Sequence, residues 1–303
     1  MTGLERMRAY LTLIRPKQWL KNFFVFAPLI FAKELFMSEQ LMVVLRAFAA
    51  FCLTASAIYV INDIADVEAD RAHPEKKNRP IASGRVSVPS ALGLLVVLVG
   101  VASILASPMD VRFIVILAAY FLMNIAYSFK LKEVILLDVF IVAAGFMFRV
   151  LGGAYAINVA VSTWLVLCSL FVSLFLGFAK RRGELQQATA TSTLSKRKVL
   201  SLYSVEFIDQ LLTIAAAGAV ISYALYTVAP RTIDIFHTEK LIYTTVFVIY
   251  GVFRYLYLIH RSSAVENPTN AVTSDLPIIV TGLLWIGSCI ALIYGGDAMW
   301  WAR

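Results

Sequence analysis

The chain has 303 residues, of which 60% are hydrophobic and only 15% are charged, and its formal net charge is +8. Because soluble domains contain about 25% charged residues, this composition excludes an ordinary soluble protein and indicates a polytopic membrane protein. In a membrane protein an excess of cations reports topology, so no nucleic-acid partner is expected.

The predicted elements begin with a short amphipathic helix at 4–14, which is expected to lie on the membrane surface and to end before Pro16. Residues 1–19 form this interfacial segment and 20–295 form one helical bundle, so 1–303 is predicted to be a single transmembrane domain. Each crossing of a bilayer needs about 20 apolar residues. On that basis nine spans are predicted, at 20–36, 41–64, 88–107, 111–128, 134–154, 161–180, 206–228, 240–260 and 276–295.

The distribution of cations predicts how these spans are oriented. With the amino terminus in the cytoplasm, 20 of the 27 lysine and arginine residues fall in the inner segments 1–21, 65–87, 129–133, 180–204 and 254–275. Cytoplasmic loops of membrane proteins carry an excess of these two residue types. The amino terminus is therefore predicted to be cytoplasmic and the carboxyl terminus to lie outside.

An acidic motif follows the second predicted span, and it reads Asn62-Asp63-Ile64-Ala65-Asp66-Val67-Glu68-Ala69-Asp70. At about 100° per residue along a helix, the asparagine falls on one face with Asp63, Asp66 and Asp70. Carboxylates this close to one another repel unless a cation lies between them. Oxygen ligands favour a hard divalent cation, and Mg²⁺ commonly binds substrate phosphates as well. The motif therefore predicts a Mg²⁺-diphosphate site at a membrane surface.

A loop rich in cations comes directly after the acidic motif. It contains Lys76, Lys77, Arg79 and Arg85, and its prolines and Gly84 favour an ordered conformation. A metal ion would bind some oxygens of a polyphosphate, and these cations would bind others. A solvated loop that obeys the positive-inside rule explains the cations equally well, but it does not explain the spacing of the acidic residues.

The acidic motif and this loop together resemble a known family. The pattern Asn-Asp-x-x-Asp-x-x-x-Asp, then Arg-Pro-Ile-Ala-Ser-Gly, on nine predicted spans is similar to the UbiA superfamily of intramembrane prenyltransferases. The resemblance covers essentially the whole chain. It implies an all-α bundle of nine transmembrane helices around a central cavity, with a cytoplasmic polar cap and a lateral opening for a polyprenyl chain.

The same resemblance implies roles for the acidic motif. Asn62, Asp66 and Asp70 are expected to bind Mg²⁺ against a diphosphate, and Asp63 is expected to bind it directly or to support the ligands. Asp63, Asp66 and Asp70 are then the catalytic residues of an active site on the cytoplasmic face. The expected location is the inner or plasma membrane of a prokaryote.

A second motif departs from the usual pattern of that superfamily, whose members mostly carry another acidic cluster after the sixth helix for a second Mg²⁺. Here residues 177–185 read Gly-Phe-Ala-Lys-Arg-Arg-Gly-Glu-Leu and retain one carboxylate, Glu184, among three cations. Such a segment cannot hold a second Mg²⁺ in the same way, but it can bind an anion. The variant resembles the decaprenyl-phosphate phosphoribosyltransferase-like branch of the superfamily, as do the segments 14–22, 127–132, 149–153, 179–185 and 253–255.

That branch implies transfer of 5-phosphoribose from 5-phosphoribosyl 1-diphosphate to a polyprenyl phosphate of the decaprenyl type, with release of diphosphate, in cell-envelope biosynthesis. The lipid phosphate is already ionised, so no general base is required, and the chain has only three histidines. Topology and interface anchoring explain Lys21 and Lys130 as well, and anchoring in an aromatic belt is the alternative for Tyr59 and Tyr127. Arg149 is expected to be a structural or a lipid-phosphate partner inside the bundle. Arg182 is interpreted as a solvated charge. The expected substrate-binding residues are cations and tyrosines near the cytoplasmic face or inside the bundle, namely Lys21, Tyr59, Lys76, Arg79, Tyr127, Lys130, Arg149, Lys180 and Arg181.

Three other classes of protein stay open at this point. An aromatic or haem prenyltransferase of the same superfamily would move a polyprenyl group from its diphosphate to an aromatic acceptor, and a second acidic cluster would favour it. A transporter would be favoured by short, broken helices in matching halves, which the sequence does not contain. A phosphate-binding structural membrane protein leaves the acidic spacing unexplained. Whether the chain forms a homo-oligomer is left open.

Overall fold

The structure is a computed structural model that describes residues 3–35, 37–74, 76–190, 198–261 and 274–295. The described residues form α-helices and 3₁₀ helices joined by turns and loops, and they contain no strand. The described α-helices are α1 Gly3–Ile14, α2 Ala27–Phe31, α3 Ser38–Ala65, α4 Val67–Arg71, α5 Val88–Ala106, α6 Val111–Phe129, α7 Leu137–Ala156, α8 Thr163–Ala190, α9 Val205–Val228, α10 Pro230–Phe236, α11 Thr245–Arg261 and α12 Leu276–Tyr294. The described 3₁₀ helices are Pro16–Phe26, Lys76–Asn78, Leu131–Glu133, Lys198–Leu202 and Lys240–Thr244.

Several long helices begin at a residue whose side chain caps them. Ser87 accepts a hydrogen bond from the main-chain N–H of Ser90 at the start of α5, and Ser204 does the same for Phe207 at the start of α9. Asp275 accepts the corresponding bond at the start of α12. Each cap satisfies a main-chain donor that has no partner within its helix, which fixes where the helix begins.

Within the described residues, eight helices are long and apolar enough to cross a membrane. They agree with the second to ninth predicted spans to within a few residues at nearly every boundary, and the prediction of an all-α membrane protein is confirmed. The eight are Ser38–Ala65, Val88–Ala106, Val111–Phe129, Leu137–Ala156, Thr163–Gln186, Val205–Val228, Lys240–Arg261 and Leu276–Tyr294.

The first predicted span, 20–36, is not one continuous helix, so the count of nine spans is not confirmed. The 3₁₀ helix Pro16–Phe26 occupies its first part and is followed by the five-residue helix α2. Pro28 lies near the start of α2, where its missing N–H cannot continue the hydrogen-bond pattern of the preceding helix. The apolar length of this segment predicts a membrane span, but hydropathy carries no information about the change from a 3₁₀ helix to an α-helix.

The 3₁₀ helix buries one stripe of side chains. Residues three apart lie above one another in this type of helix. Asn22 and Val25 are accordingly buried in this helix, and Pro28 at the start of α2 is buried at the same spacing, whereas Leu20 and Phe23 are exposed. The period of the buried residues is therefore three, and not the 3.6 of an α-helix.

The amino-terminal helix α1 has one buried and one exposed apolar side. Ala9 and Leu13 are buried in a cluster of unit 1, whereas Leu4, Met7 and Leu11 are exposed. The helix lies where the amphipathic segment was predicted, and its position on the membrane surface stays a prediction.

The described chain divides into two compact units. Unit 1 comprises Met1–Leu131 with Phe148–Ala160, and unit 2 comprises Lys132–Met147 with Val161–Arg303. The two parts of α7 belong to different units. Each unit has buried apolar clusters of its own. That the whole chain acts as a single domain stays a prediction.

Close packing in each unit depends on a glycine of a membrane helix. In unit 1 a Cβ atom added to Gly153 would lie 2.0 Å from the main-chain oxygen of Val25, so α7 approaches the backbone of the 3₁₀ helix directly. In unit 2 a Cβ atom added to Gly177 would lie 2.6 Å from Cγ1 of Val139, which brings α8 against the beginning of α7. Small residues allow this kind of approach between membrane helices.

Replacing Gly153 with alanine is expected to destabilise the protein by about 3 kcal/mol, because the new methyl group meets backbone that cannot rotate away. Thermal or denaturant unfolding in detergent, followed by circular dichroism, measures the change. Gly287→Ala is the matched control, since nothing lies within 4 Å of an added Cβ there. Equal stabilities of the two variants would show that the 3₁₀ helix does not approach α7 as described.

Candidate active site

The acidic motif lies at the junction of α3 and α4 in unit 1. Asp66 lies between the two helices as the C-cap of α3 and the N-cap of α4, with φ −93° and ψ 9°. The N–H of Asp66 donates to the main-chain oxygen of Asn62 at 2.9 Å, and the N–H of Asp70 donates to that of Asp66 at 2.8 Å. The helical spacing therefore continues through the junction, and Asn62, Asp66 and Asp70 lie on successive turns.

The oxygen atoms of this face fit a hard divalent cation. The Oδ1 atom of Asn62 is buried and accepts no hydrogen bond among the described residues. Leaving a buried oxygen without a partner costs free energy that a bound cation would recover. No three His, Cys, Asp or Glu side chains in the described ranges cluster closely enough to hold a metal ion. An ion here would therefore rest on the amide of Asn62 together with the carboxylates of Asp66 and Asp70.

Asp63 is engaged differently from the other carboxylates of the motif. Its side chain is only 2% exposed, and its Oδ1 accepts hydrogen bonds from Nη2 of Arg15 at 2.6 Å and from Nη1 of Arg79 at 3.1 Å. Nη1 of Arg79 also donates to Oδ2 of Asp70 at 2.7 Å. Asp63 and Arg79 are both predicted site residues, and the structure brings these two together with Asp70.

Arg15 is the member of this group that was not predicted from the sequence. It joins α1 to the 3₁₀ helix in a left-handed backbone conformation, φ 51° and ψ 62°, which costs a non-glycine residue about 1–2 kcal/mol. Its Cζ lies 4.7 Å from the centre of the Tyr59 ring. Ser56 stabilises the junction, because its hydroxyl donates to the main-chain oxygen of Ile14 at 2.8 Å and accepts from Nε1 of Trp19 at 3.0 Å.

The remaining predicted residues near the ends of helices in unit 1 are mostly exposed. Lys21 is exposed on the 3₁₀ helix, and Lys76 is exposed in the loop after α4. Tyr127 is half-buried and Lys130 is exposed at the end of α6. The ring of Tyr59 lies against the guanidinium of Arg15. The substrate-binding roles of these five residues stay predictions.

Arg149 is buried within the helices of unit 1. Its Nε donates to Oδ1 of Asn22 at 2.6 Å, and its Nη2 donates to the hydroxyl of Tyr120 at 2.9 Å. Its Cζ lies 4.7 Å from the Tyr120 ring, and Nδ2 of Asn22 lies 3.1 Å from Sγ of Cys52. These contacts join α3, α6, α7 and the 3₁₀ helix, so they support the structural half of the prediction for this residue.

In unit 2 a buried ion network involves the end of α8. Arg181 is 4% exposed, and its Nε and Nη1 donate to Oδ2 of Asp138 and Oε2 of Glu184, each at 2.6 Å. The hydroxyl of Tyr203 donates to Oδ1 of Asp138 at 2.8 Å and accepts from the N–H of Leu136 at 2.7 Å. Burial raises the pKa of the Tyr203 hydroxyl, so it stays a donor at ordinary pH.

The neighbours of Arg181 differ in exposure. The Lys180 side chain is 45% exposed, with its Nζ 4.0 Å from Oε1 of Glu184. The interpretation of Arg182 as a solvated charge is wrong, because the residue is buried and its Nε donates to Oδ1 of Asp209 at 2.6 Å. Its Nη1 donates to the main-chain oxygen of Ile259 at 2.7 Å. Three successive cations thus have one exposed member and two buried, paired members.

The fold and these sites define an integral membrane protein whose helix ends carry oxygen ligands and cations suited to phosphorylated molecules. Residues 23–271 match the model of the UbiA prenyltransferase family. The chain belongs to that family, whose members are membrane transferases, and the resemblance recognised in the sequence is confirmed.

Two bacterial enzymes with assigned names are similar to this chain in sequence. The chain is 34% identical over 291 residues to the decaprenyl-phosphate phosphoribosyltransferase of Mycolicibacterium smegmatis, covering 93% of this chain and 91% of the relative. It is 37% identical over 218 residues to the enzyme of the same name from Corynebacterium glutamicum, covering 70% of this chain and 65% of the relative.

Solved structures support the fold. A UbiA homologue from Archaeoglobus fulgidus, described as bound to GPP and Mg²⁺, superimposes with a TM-score of 0.70 over 94% of this chain and 99% of its own, at 18% identity. The same protein bound to DMAPP and Mg²⁺ gives a TM-score of 0.69 over 94% and 98%, at 19% identity.

Proposed function

We propose that this protein transfers 5-phosphoribose from 5-phosphoribosyl 1-diphosphate to a polyprenyl phosphate in a Mg²⁺-dependent reaction that releases diphosphate. The main supporting observation is the end of α8, where Lys180, Arg181 and Arg182 follow one another and Arg181 binds both Asp138 and Glu184. Because Arg181 binds both of these carboxylates, they do not offer a second acidic metal site, and the exposed Lys180 can contact an anionic substrate instead. The names of the two relatives described above support the same substrates.

The residues of unit 1 would act on the leaving group. When bound by Asn62, Asp66 and Asp70, Mg²⁺ supplies charge stabilisation for the departing diphosphate. Arg79 and Lys76 would neutralise further phosphate oxygens. The bond between ribose C1 and the diphosphate oxygen breaks with its electron pair, and an oxygen of the lipid phosphate bonds to C1. Because this nucleophile is an anion, no side chain has to remove a proton.

The proposal also gives the protein a location. The excess of lysine and arginine in the inner segments supports a cytoplasmic amino terminus and active site, with the carboxyl terminus outside. The membrane would be the inner or plasma membrane of a prokaryote, where the polyprenyl tail stays in the lipid and only the phosphate enters the site.

A donor test examines the proposal directly. Purified protein in nanodiscs would receive Mg²⁺, polyprenyl phosphate and radiolabelled 5-phosphoribosyl diphosphate, and a parallel reaction would contain polyprenyl diphosphate and 4-hydroxybenzoate. We expect label to move into the lipid fraction only in the first reaction. Product only in the second would make the protein an aromatic prenyltransferase, the second candidate.

Replacing Lys180 with alanine is expected to raise the KM for donor or acceptor about tenfold with little change in kcat, because a charge-assisted contact to a bound phosphate is lost. Steady-state kinetics with each substrate varied in turn would measure this. Lys240→Ala, which removes an exposed cation at the predicted outer face, is the control. If both KM values stayed unchanged in Lys180→Ala, this lysine would serve topology alone.

A further inference from the structure

The buried carboxylate of Asp63 connects two guanidinium groups from distant parts of the chain. Arg15 lies 48 residues before it and Arg79 lies 16 residues after it, and both donate to the same oxygen. Nη1 of Arg79 continues the connection to Asp70, on the face that offers oxygen ligands. Arg15 is therefore linked to Asp70 on the candidate metal face through three successive charge-assisted contacts.

Both guanidinium groups keep further donors for a ligand. A guanidinium carries five N–H groups in one plane. Within the described residues, the hydrogen bond of Arg15 uses Nη2 and those of Arg79 use Nη1. The two side chains are 27% and 26% exposed, whereas the carboxylate that holds them is almost completely buried. An anion arriving from the exposed side would meet N–H groups that are already oriented.

The orientation of Arg15 is set by its surroundings. The left-handed backbone at this residue is unfavourable in itself, so the packing around it has to maintain it. The Tyr59 ring lies against the guanidinium plane, and the Asp63 carboxylate holds one end of it. Such fixation reduces the entropy that the side chain loses when it binds a ligand.

We infer that Arg15 and Arg79 together bind the diphosphate part of the donor, and that Asp63 is a positioning residue for both rather than a metal ligand. Planar guanidinium groups match phosphate oxygens with paired hydrogen bonds. A metal ion bound to the same oxygen of Asp63 would have to displace both arginines. The inference rests on the proposed function for the donor, but it requires only that the donor carry a diphosphate.

Binding of inorganic diphosphate tests the role of Arg15. The full-length protein in nanodiscs would be titrated with inorganic diphosphate and Mg²⁺ by calorimetry. Arg15→Gln is expected to raise the Kd about 10- to 100-fold, and Arg15→Lys less, because lysine keeps the charge but not the planar fork. Arg6→Gln removes the same charge from an exposed position of α1 and should leave the Kd within about twofold. Wild-type affinity in Arg15→Gln would overturn the inference.

Metal binding without diphosphate tests the role of Asp63. Mn²⁺ would be titrated into each variant and followed by electron paramagnetic resonance. Asp63→Asn keeps an oxygen acceptor and is expected to bind Mn²⁺ like the wild type while binding diphosphate more weakly. Asp66→Ala should lose Mn²⁺ binding. If Asp63→Asn lost it too, Asp63 would be a ligand and the inference would fail. If Asp63→Asn did not fold, the Arg15 variants would still decide the role of Arg15.

This result is separable from the donor test. A protein that transfers a prenyl group rather than phosphoribose would still release diphosphate, so the Arg15 result would stand while the proposed function failed. If the wild-type protein transferred phosphoribose but Arg15→Gln bound diphosphate with unchanged affinity, the proposed function would stand and the inference about Arg15 would fail.

Discussion

Replacing Asp66 with alanine is expected to reduce Mg²⁺-dependent turnover by at least about 1,000-fold, since it removes a carboxylate from the proposed metal site and the departing charge loses its stabilisation. The variant should still fold, because the side chain lies at a helix junction, is only half-buried, and its loss relieves repulsion between neighbouring carboxylates. Turnover of purified variant and wild type, each over a range of Mg²⁺ concentrations, measures the effect.

A nearby carboxylate provides the control for this experiment. Glu68 lies two residues further on, is 80% exposed, and pairs with Arg71 on the surface of α4. Glu68→Ala removes the same charge from the same segment and should keep turnover within about twofold, because an exposed pair contributes little. Full Mg²⁺-dependent activity in Asp66→Ala would show that the metal assignment is wrong.

Replacing Asp138 with alanine is expected to destabilise the protein by about 3–5 kcal/mol, because it removes one partner of a buried ion network. The Arg181 guanidinium would keep only Glu184 among its described carboxylate partners, and the Tyr203 hydroxyl would lose its acceptor. Unfolding in detergent would measure the loss. Glu133→Ala, at an exposed position before the same helix, should change stability by less than about 0.5 kcal/mol.

A double variant distinguishes lost pairing from lost packing. If the cost of Asp138→Ala comes from an uncompensated buried charge, then Asp138→Ala combined with Arg181→Met should be more stable than Asp138→Ala alone. Equal or lower stability of the double variant would instead mean that Asp138 contributes mainly through Tyr203 and the loop at Leu136.

Much of the fold follows from local properties of the sequence. Eight spans were predictable because apolar length alone distinguishes them, and the Asn62–Asp70 face was predictable because a spacing of four residues fixes it. The 3₁₀ helix was not predictable in the same way. The stripe Asn22, Val25, Pro28 has a period of three, but it contains an amide and a proline, which no hydrophobic pattern would select.

The ion networks were less predictable, because their partners are far apart in the sequence. Arg181 and Asp138 are separated by 43 residues, and the positive-inside rule already explains the arginine without a partner. The positive-inside rule also explained Arg15 without a partner. Its contact with Asp63 was therefore not predicted, and Asp63 was assigned to metal binding instead. Arg182 was misassigned for this reason too, since one sequence cannot distinguish a cation in water from one bound to a distant carboxylate.

The 3₁₀ helix also constrains how the family can vary. Each residue of such a helix turns the chain by about 120°, so one inserted or deleted residue between Pro16 and Asn22 would turn the buried side chains Asn22 and Val25 to the exposed side of the helix. Asn22 would then no longer accept the hydrogen bond from Arg149, and a residue that is now exposed, such as Phe23, would lie at that position. We therefore expect natural length variation in this segment to occur in steps of three residues. A homologue that is one residue longer, yet keeps its asparagine against the buried arginine, would contradict this.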